Sequence, residues 1–314
     1  FSTHLLACGS SLMPQSVVDV IVEHTKLEAL MGGYEAEAKK IDELNKIYEI
    51  VADHIGASSH EIALMENSTV AWSHAFYALP LESGSKILTS EAEYAANYVA
   101  FLQRAKRDNL TIDIIPSDQS GALDVNALES MVDDSVGLIA VSWIPTNGGL
   151  VNPAEKVGQV AKKYNIPYLL DACQAAGQMQ IDVNKIQCDF LSATGRKFLR
   201  GPRGTGFLYI NEKWLDTIEP AMIDHFGAPW IKKNVYELDV LIDIAANADL
   251  PTKEAEDILK HRTYKDVINK HWEFSYKTGV TGVPTYILNN NYLVGAQEES
   301  SFKKLFQKEN IKRV

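Results

Sequence analysis

An α/β fold, built on a mainly parallel sheet of about seven strands with helices on both faces, is predicted by three features of the chain. Between about residue 60 and residue 210, short apolar runs alternate with longer amphipathic ones. Parallel strands joined by helical crossovers need that texture, because both faces of such a sheet are covered. Hydrophobic residues make up 46% of the chain and charged residues 23%, the balance of an ordinary globular protein rather than a disordered one. A length of 314 residues corresponds to about two domains at roughly 150 residues each.

Residues 11–53 read as helices leading into the sheet. The strand candidates are then Glu61–Met65, Lys86–Thr89, Thr111–Ile115, Gly137–Val141, Pro167–Leu170, Asp189–Ser192 and Gly206–Ile210. Helical patterns fill many of the gaps: Val70–Ala78, Ala95–Ala105 and Pro153–Tyr164, the last with proline where a first turn tolerates it. Gly201-Pro202-Arg203-Gly204-Thr205-Gly206 reads as a hairpin turn, and Met65 and Trp72 as core. Ligands of a doubly wound sheet sit at the carboxyl ends of its strands. After about Asp239 the texture changes. Val240–Ala246, Lys253–Lys260 (with Thr252 as N-cap) and Lys265–Tyr276 read as helices. Gly282–Leu288, the turn Asn289–Asn291 and Tyr292–Val294 then read as a hairpin, and Ser301–Lys308 as a closing helix.

Charge follows the same division. Residues 239–314 hold 11 basic and 11 acidic residues, so the rest of the chain carries the whole net charge of −11. An acidic protein is a poor match for nucleic acid or an anionic membrane surface, and charges interrupt every apolar stretch before membrane-spanning length. Three cysteines (Cys8, Cys173, Cys188) lie far apart with no CxxC, which points to a reducing, cytoplasmic setting. The eight histidines show no metal-site spacing.

The densest constellation is Asp171-Ala172-Cys173-Gln174 at the end of one apolar strand and Ser192-Ala193-Thr194-Gly195-Arg196-Lys197 at the end of the next. Upstream, Asn67-Ser68-Thr69 opens a helix. At one sheet edge, the Ser68/Thr69 helix start, Thr194 and Arg196 would cradle a phosphate. Asp171 would hold a protonated ring nitrogen, and Lys197 would offer an amine for a Schiff base. Taken singly, each has a commoner role: Asp171 as a cap or turn residue, Lys197 as solvated surface, Ser68 and Thr69 as an N-cap. Cys173 reads as a small packed residue.

These motifs, with Phe198-Leu199-Arg200-Gly201-Pro202-Arg203-Gly204 and Trp143-Ile144-Pro145-Thr146-Asn147-Gly148-Gly149, make residues 1–238 similar to the large domain of class V aminotransferases. That family comprises fold-type I pyridoxal 5′-phosphate (PLP) enzymes and includes cysteine desulfurases and isopenicillin-N-epimerase-like proteins. The resemblance implies Lys197 as Schiff-base lysine and proton carrier, Asp171 on the pyridine nitrogen and Gln174 near the ring hydroxyl. It places Ser68, Thr69, Thr194 and Arg196 on the phosphate, and Tyr94 of Glu93-Tyr94-Ala95-Ala96-Asn97 on the ring face. Tyr94 stands where desulfurases carry His, and Thr146 where they carry Asn near the cofactor, which turns the reading towards the epimerase-like branch. The implied substrate is a small amino-acid-like molecule (transferase, lyase or epimerase chemistry), and the implied assembly a homodimer.

Residues 239–314 resemble the C-terminal part of the DsbA family, in the branch of FrnE-like oxidoreductases and 2-hydroxychromene-2-carboxylate isomerases. The match is Gly279-Val280-Thr281-Gly282-Val283-Pro284-Thr285-Tyr286 and Tyr292-Leu293-Val294-Gly295-Ala296-Gln297, and it implies a partial thioredoxin-like α/β segment with Pro284 as cis-proline. No CxxC accompanies it, so a thiol oxidoreductase or isomerase is the weakest reading. The small C-terminal domain usual in PLP relatives is also not recognisable, which leaves a non-catalytic, PLP-binding hybrid as the alternative to an enzyme.

Overall fold

The computed structural model describes residues 4–146, 148–220, 222, 237–280, 282–295 and 297–308. Asn147, Thr281 and Ala296 of the motifs above lie outside them. The chain divides into two compact units, Phe1–Met222 and Ile223–Val314.

In the first unit, α1 (Gln15–Met31) and α2 (Gly33–Ile55) lead into β1 (Ile62–Met65). There follow α3 (Ser68–Ala78), β2 (Lys86–Ser90), α4 (Ala95–Asp108), β3 (Thr111–Ile115), α5 (Val125–Met131) and β4 (Val136–Ser142). α6 (Ala154–Lys163), β5 (Tyr168–Asp171), α7 (Val183–Ile186), β6 (Phe190–Thr194) and β7 (Gly206–Ile210) complete it. The seven-stranded sheet has the order β1-β7-β6-β5-β4-β2-β3. β3, β2, β4, β5 and β6 run parallel, while β7 is antiparallel to both β6 and β1. The mixed, mainly parallel sheet agrees with the expected fold.

Alternation along the central strands explains the two cores. Leu138 and Ala140 of β4, with Leu169 of β5, face one side, where they meet Trp72, Phe76 and Phe101 from α3 and α4. Ile139, Val141 and Leu170 face the other, against Val157, Val160 and Ala161 of α6. Successive side chains of a strand point to opposite faces, so a strand covered on both sides is apolar throughout. The Trp72 ring stacks on Phe76 at 4.7 Å and meets Phe101 edge-on at 5.3 Å, confirming Trp72 as core; Met65 is only partly buried.

Arg104 ties this core to the tail of α3. It is 4% exposed, donates to the carbonyls of Phe76 and Leu79, and pairs with Asp108 at 2.8 Å. Those carbonyls have no later helical turn to bond. Arg104→Met keeps the stem but orphans them, so unfolding in denaturant should show a loss of about 2–4 kcal/mol. A loss within about 0.5 kcal/mol, the size of an ordinary surface change, would contradict this account.

In the second unit, α8 (Leu238–Asn247), α9 (Thr252–His261) and α10 (Lys265–Lys277) precede the hairpin β8 (Thr285–Leu288) and β9 (Asn291–Val294), and α11 (Glu299–Lys308) follows. The Val283–Pro284 peptide is cis. Tyr286 of the hairpin meets Phe302 of α11 edge-on at 4.8 Å. Thr252 is not the N-cap of α9: Pro251 occupies that position with no side-chain cap, and Thr252 is the first helical residue.

Candidate active site

Asp171 is the last residue of β5, in register with Ser142 on β4 and Ser192 on β6. β6 ends at Thr194 and the chain turns back through Lys197, so both predicted chemical groups emerge at the carboxyl edge of adjacent strands. Together they line one hollow with Ser68, Thr69, Tyr94, Thr146, Gln174 and Arg196. Thr194, the ninth residue singled out, stands behind this wall and accepts a hydrogen bond from Arg196 Nη1 at 3.1 Å.

The start of α3 is capped by Asn67, whose side chain accepts from Val70 N at 3.0 Å. Sequence reading gave that ordinary role to Ser68 and Thr69. With Asn67 in it, their hydroxyls are left for other partners at the positive end of the helix. Ser68 is buried and its Oγ lies 3.0 Å from Ser192 Oγ. Gly206 makes this approach possible, since a Cβ there would stand 2.6 Å from Ala193 O and 3.0 Å from the Asn67 backbone. Arg196 forms no ion pair among the described residues, which leaves its charge available to an anion beside that helix start.

Lys197 is 5% exposed. Its Nζ donates to Cys173 Sγ at 3.2 Å and lies 5.9 Å from the Tyr94 ring centroid. Cys173 thus touches the amine while it packs, and burial pushes its thiol above the ordinary range, with the Asp171 charge adding to the effect. Asp171 is 6% exposed; Oδ1 accepts from Cys173 N at 2.8 Å and Oδ2 from Asn97 Nδ2 at 3.0 Å. Burial pushes its carboxyl upward against the lowering effects of Asn97, Cys173 and Lys197. Gln174 donates through Nε2 to Cys8 O at 3.1 Å and Thr146 Oγ1 at 3.4 Å. Its Oε1 is buried with no partner among the described residues.

Sequence reasoning did not foresee the part of Ser142 in lining this hollow, nor Asn97 as a ligand of Asp171. Asn97 stood inside a quoted motif, but only its helical spacing from Glu93 hinted that the two act together.

The aminotransferase class-V family model matches residues 3–228, and a DSBA-like thioredoxin domain model matches residues 224–307. The chain belongs to the class V aminotransferase family. A probable cysteine desulfurase of Pyrococcus abyssi (strain GE5 / Orsay) is 30% identical over 68% of this chain and 55% of its own length. Among solved structures, the cystine C-S lyase C-DES in complex with its reaction product cysteine persulfide superposes with a TM-score of 0.65 and 21% identity, over 69% of this chain and 59% of that one. A C-DES mutant with glycine covalently linked to its PLP cofactor superposes with a TM-score of 0.64 and 16% identity, over 97% of this chain and 86% of that one. These structural likenesses define the fold. The chain spans about half the length of the curated relatives it matches.

PLP is the cofactor of this class V family, and the residues fit it. The orphaned Gln174 Oε1 can accept from a ring hydroxyl, the enclosed Asp171 carboxylate is matched to a protonated ring nitrogen, and the α3 start with Arg196 offers donors to a dianion.

The buried carboxyls carry a pH signature. Asp171 and Glu93 are raised above ordinary values of 3.8 and 4.5, chiefly by burial. A carboxyl raised on folding binds its proton more tightly in the folded chain, so its contribution to stability falls as pH climbs from the unfolded value to the folded one. A ring cation held beside Asp171 would oppose that loss. The gap in Tm between PLP-loaded and PLP-free protein should therefore widen as pH rises above about 4. A gap that stays constant from there to neutrality would count against it.

Proposed function

We propose that this chain is a PLP-dependent enzyme acting on an amino-acid-type substrate, with Lys197 as its Schiff-base lysine. The observation that carries the reading is the meeting of one buried amine and one enclosed carboxylate in a hollow that also receives the start of α3 and Arg196. When bound, PLP supplies an aldehyde for amines and a ring that accepts electrons from a substrate's α-carbon. Asp171 would hold a proton on the ring nitrogen. Ser68, Thr69 and Arg196 would bind the phosphate, with Thr194 holding Arg196 from behind, while Gln174 would orient the ring through its hydroxyl and Tyr94 would cover one ring face. Lys197 would also hold and move the proton at the substrate's α-carbon.

The named relatives support carbon–sulfur lyase chemistry on cysteine or cystine, and Tyr94 in place of a histidine supports the epimerase-like branch. We further assign the chain to the cytoplasm as a homodimer. Cys8, Cys173 and Cys188 are unpaired, and among the described residues no helix is long and apolar enough to cross a membrane. α1 buries none of its residues, with Val20 64% and Leu30 83% exposed, as a helix awaiting a second copy would be. The alternative is a protein that binds PLP without turnover. Purified protein supplied with PLP should turn yellow, and its absorption should change on adding L-cysteine, L-cystine or L-alanine. Product analysis then separates sulfur release from epimerisation. Colour without any response to amino acids selects the binding-only alternative; no colour overturns both.

A further inference from the structure

Behind the hollow lies a second buried carboxylate that the reading above does not use. Glu93 precedes Tyr94, the N-cap residue of α4, and its carboxylate gathers donors from three elements. Oε1 accepts from Tyr94 N at 2.7 Å, from Asn97 Nδ2 at 2.9 Å and from the Ser142 hydroxyl. Oε2 accepts from Ser142 N at 2.8 Å and from Thr89 Oγ1 at 3.3 Å. Asn97 is 2% exposed, and its amide nitrogen has two hydrogens. One goes to Glu93 and the other to Asp171 Oδ2 at 3.0 Å.

We propose that Glu93 and Asn97 are positioning residues: a buried bridge that orients the Asp171 carboxylate towards the ring nitrogen and locks it to the Tyr94 turn and to Ser142. The proposal rests on the PLP reading of the site. Without the bridge, Asp171 keeps one hydrogen bond, from Cys173 N, and can turn about its side-chain torsions. With it, both carboxylate oxygens are held while each retains a lone pair for a further donor. The arrangement also explains the amide at position 97. An amide with two hydrogens can donate to two carboxylates at once, whereas a third carboxylate there would repel both.

The test compares two ligands on PLP-free protein. One is PLP; the other is its 1-deaza analogue, which has the same aldehyde, hydroxyl and phosphate but no ring nitrogen. The variants are Asn97→Ala and Glu93→Gln. The second keeps the shape but places an amide N–H against the backbone N–H of Tyr94 or Ser142, whichever way it turns. Each variant should bind PLP about 10-fold more weakly, the scale of one hydrogen bond to a charged group. The deaza analogue should bind each variant within about threefold of the parent, since its ring makes no use of Asp171. Equal losses for both ligands would mean that the bridge merely supports the fold, and unchanged PLP binding would mean that it does nothing for the ring; either overturns the proposal. If Asn97→Ala does not fold, Glu93→Gln decides alone. A parent protein that binds neither ligand refutes the PLP reading itself, a separate result.

Discussion

Lys197→Ala should yield a protein that loses PLP on dialysis, gives no mass-shifted peptide after borohydride reduction, and turns over substrate about 10²–10⁴-fold more slowly or less. The size of the effect follows from the surroundings of this amine. Among the described residues Lys197 is the only lysine lining the hollow, and it is 5% exposed. In the parent, reduction should fix the cofactor mass on the peptide that contains residue 197. Retention of covalent cofactor by the variant would show that the amine at this position is not the attachment point.

Asp171→Ala should be nearly as severe for a different reason. On the proposed roles it would leave the cofactor attached but remove the charge that keeps the ring nitrogen protonated, so turnover should fall about 10²–10³-fold, the scale for one preorganised electrostatic partner. The absorption band should persist, and bound PLP should respond to pH more as it does free in water. A variant with unchanged turnover would place the ring elsewhere in the hollow. On the proposed roles Lys197→Ala should remove attachment, whereas Asp171→Ala should spare attachment and remove electronic support, so spectroscopy should distinguish them even where activity does not.

Much of this was legible in the chain because the chemistry is concentrated at strand ends, where a local apolar run stops and polar residues begin. All seven strands of the large sheet occur where the patterns lie, with edges displaced by a residue or two. β6, for example, continues to Thr194, because its pairing with β7 runs on to Gly206 beyond the point where hydrophobicity fades. The antiparallel course of β7 left no mark in composition, since a buried strand is apolar in either direction. Asn67 was hidden as a cap because Ser68 and Thr69 are equally good caps by type; only the position of the helix start decides among three adjacent candidates. The link from Asn97 to Asp171 spans 74 residues and joins a helix to a strand two positions away in the sheet order. No local periodicity encodes such a pair.

The double anchoring of α3 has a consequence for how the site meets an anion. Asn67 fixes its first turn, and Arg104 fastens its last carbonyls, so the helix is a strut held at both ends. A dianionic group docking at the Ser68 end finds its donors already in place. The ordering entropy of association then falls mainly on the incoming small molecule and hardly on the polypeptide.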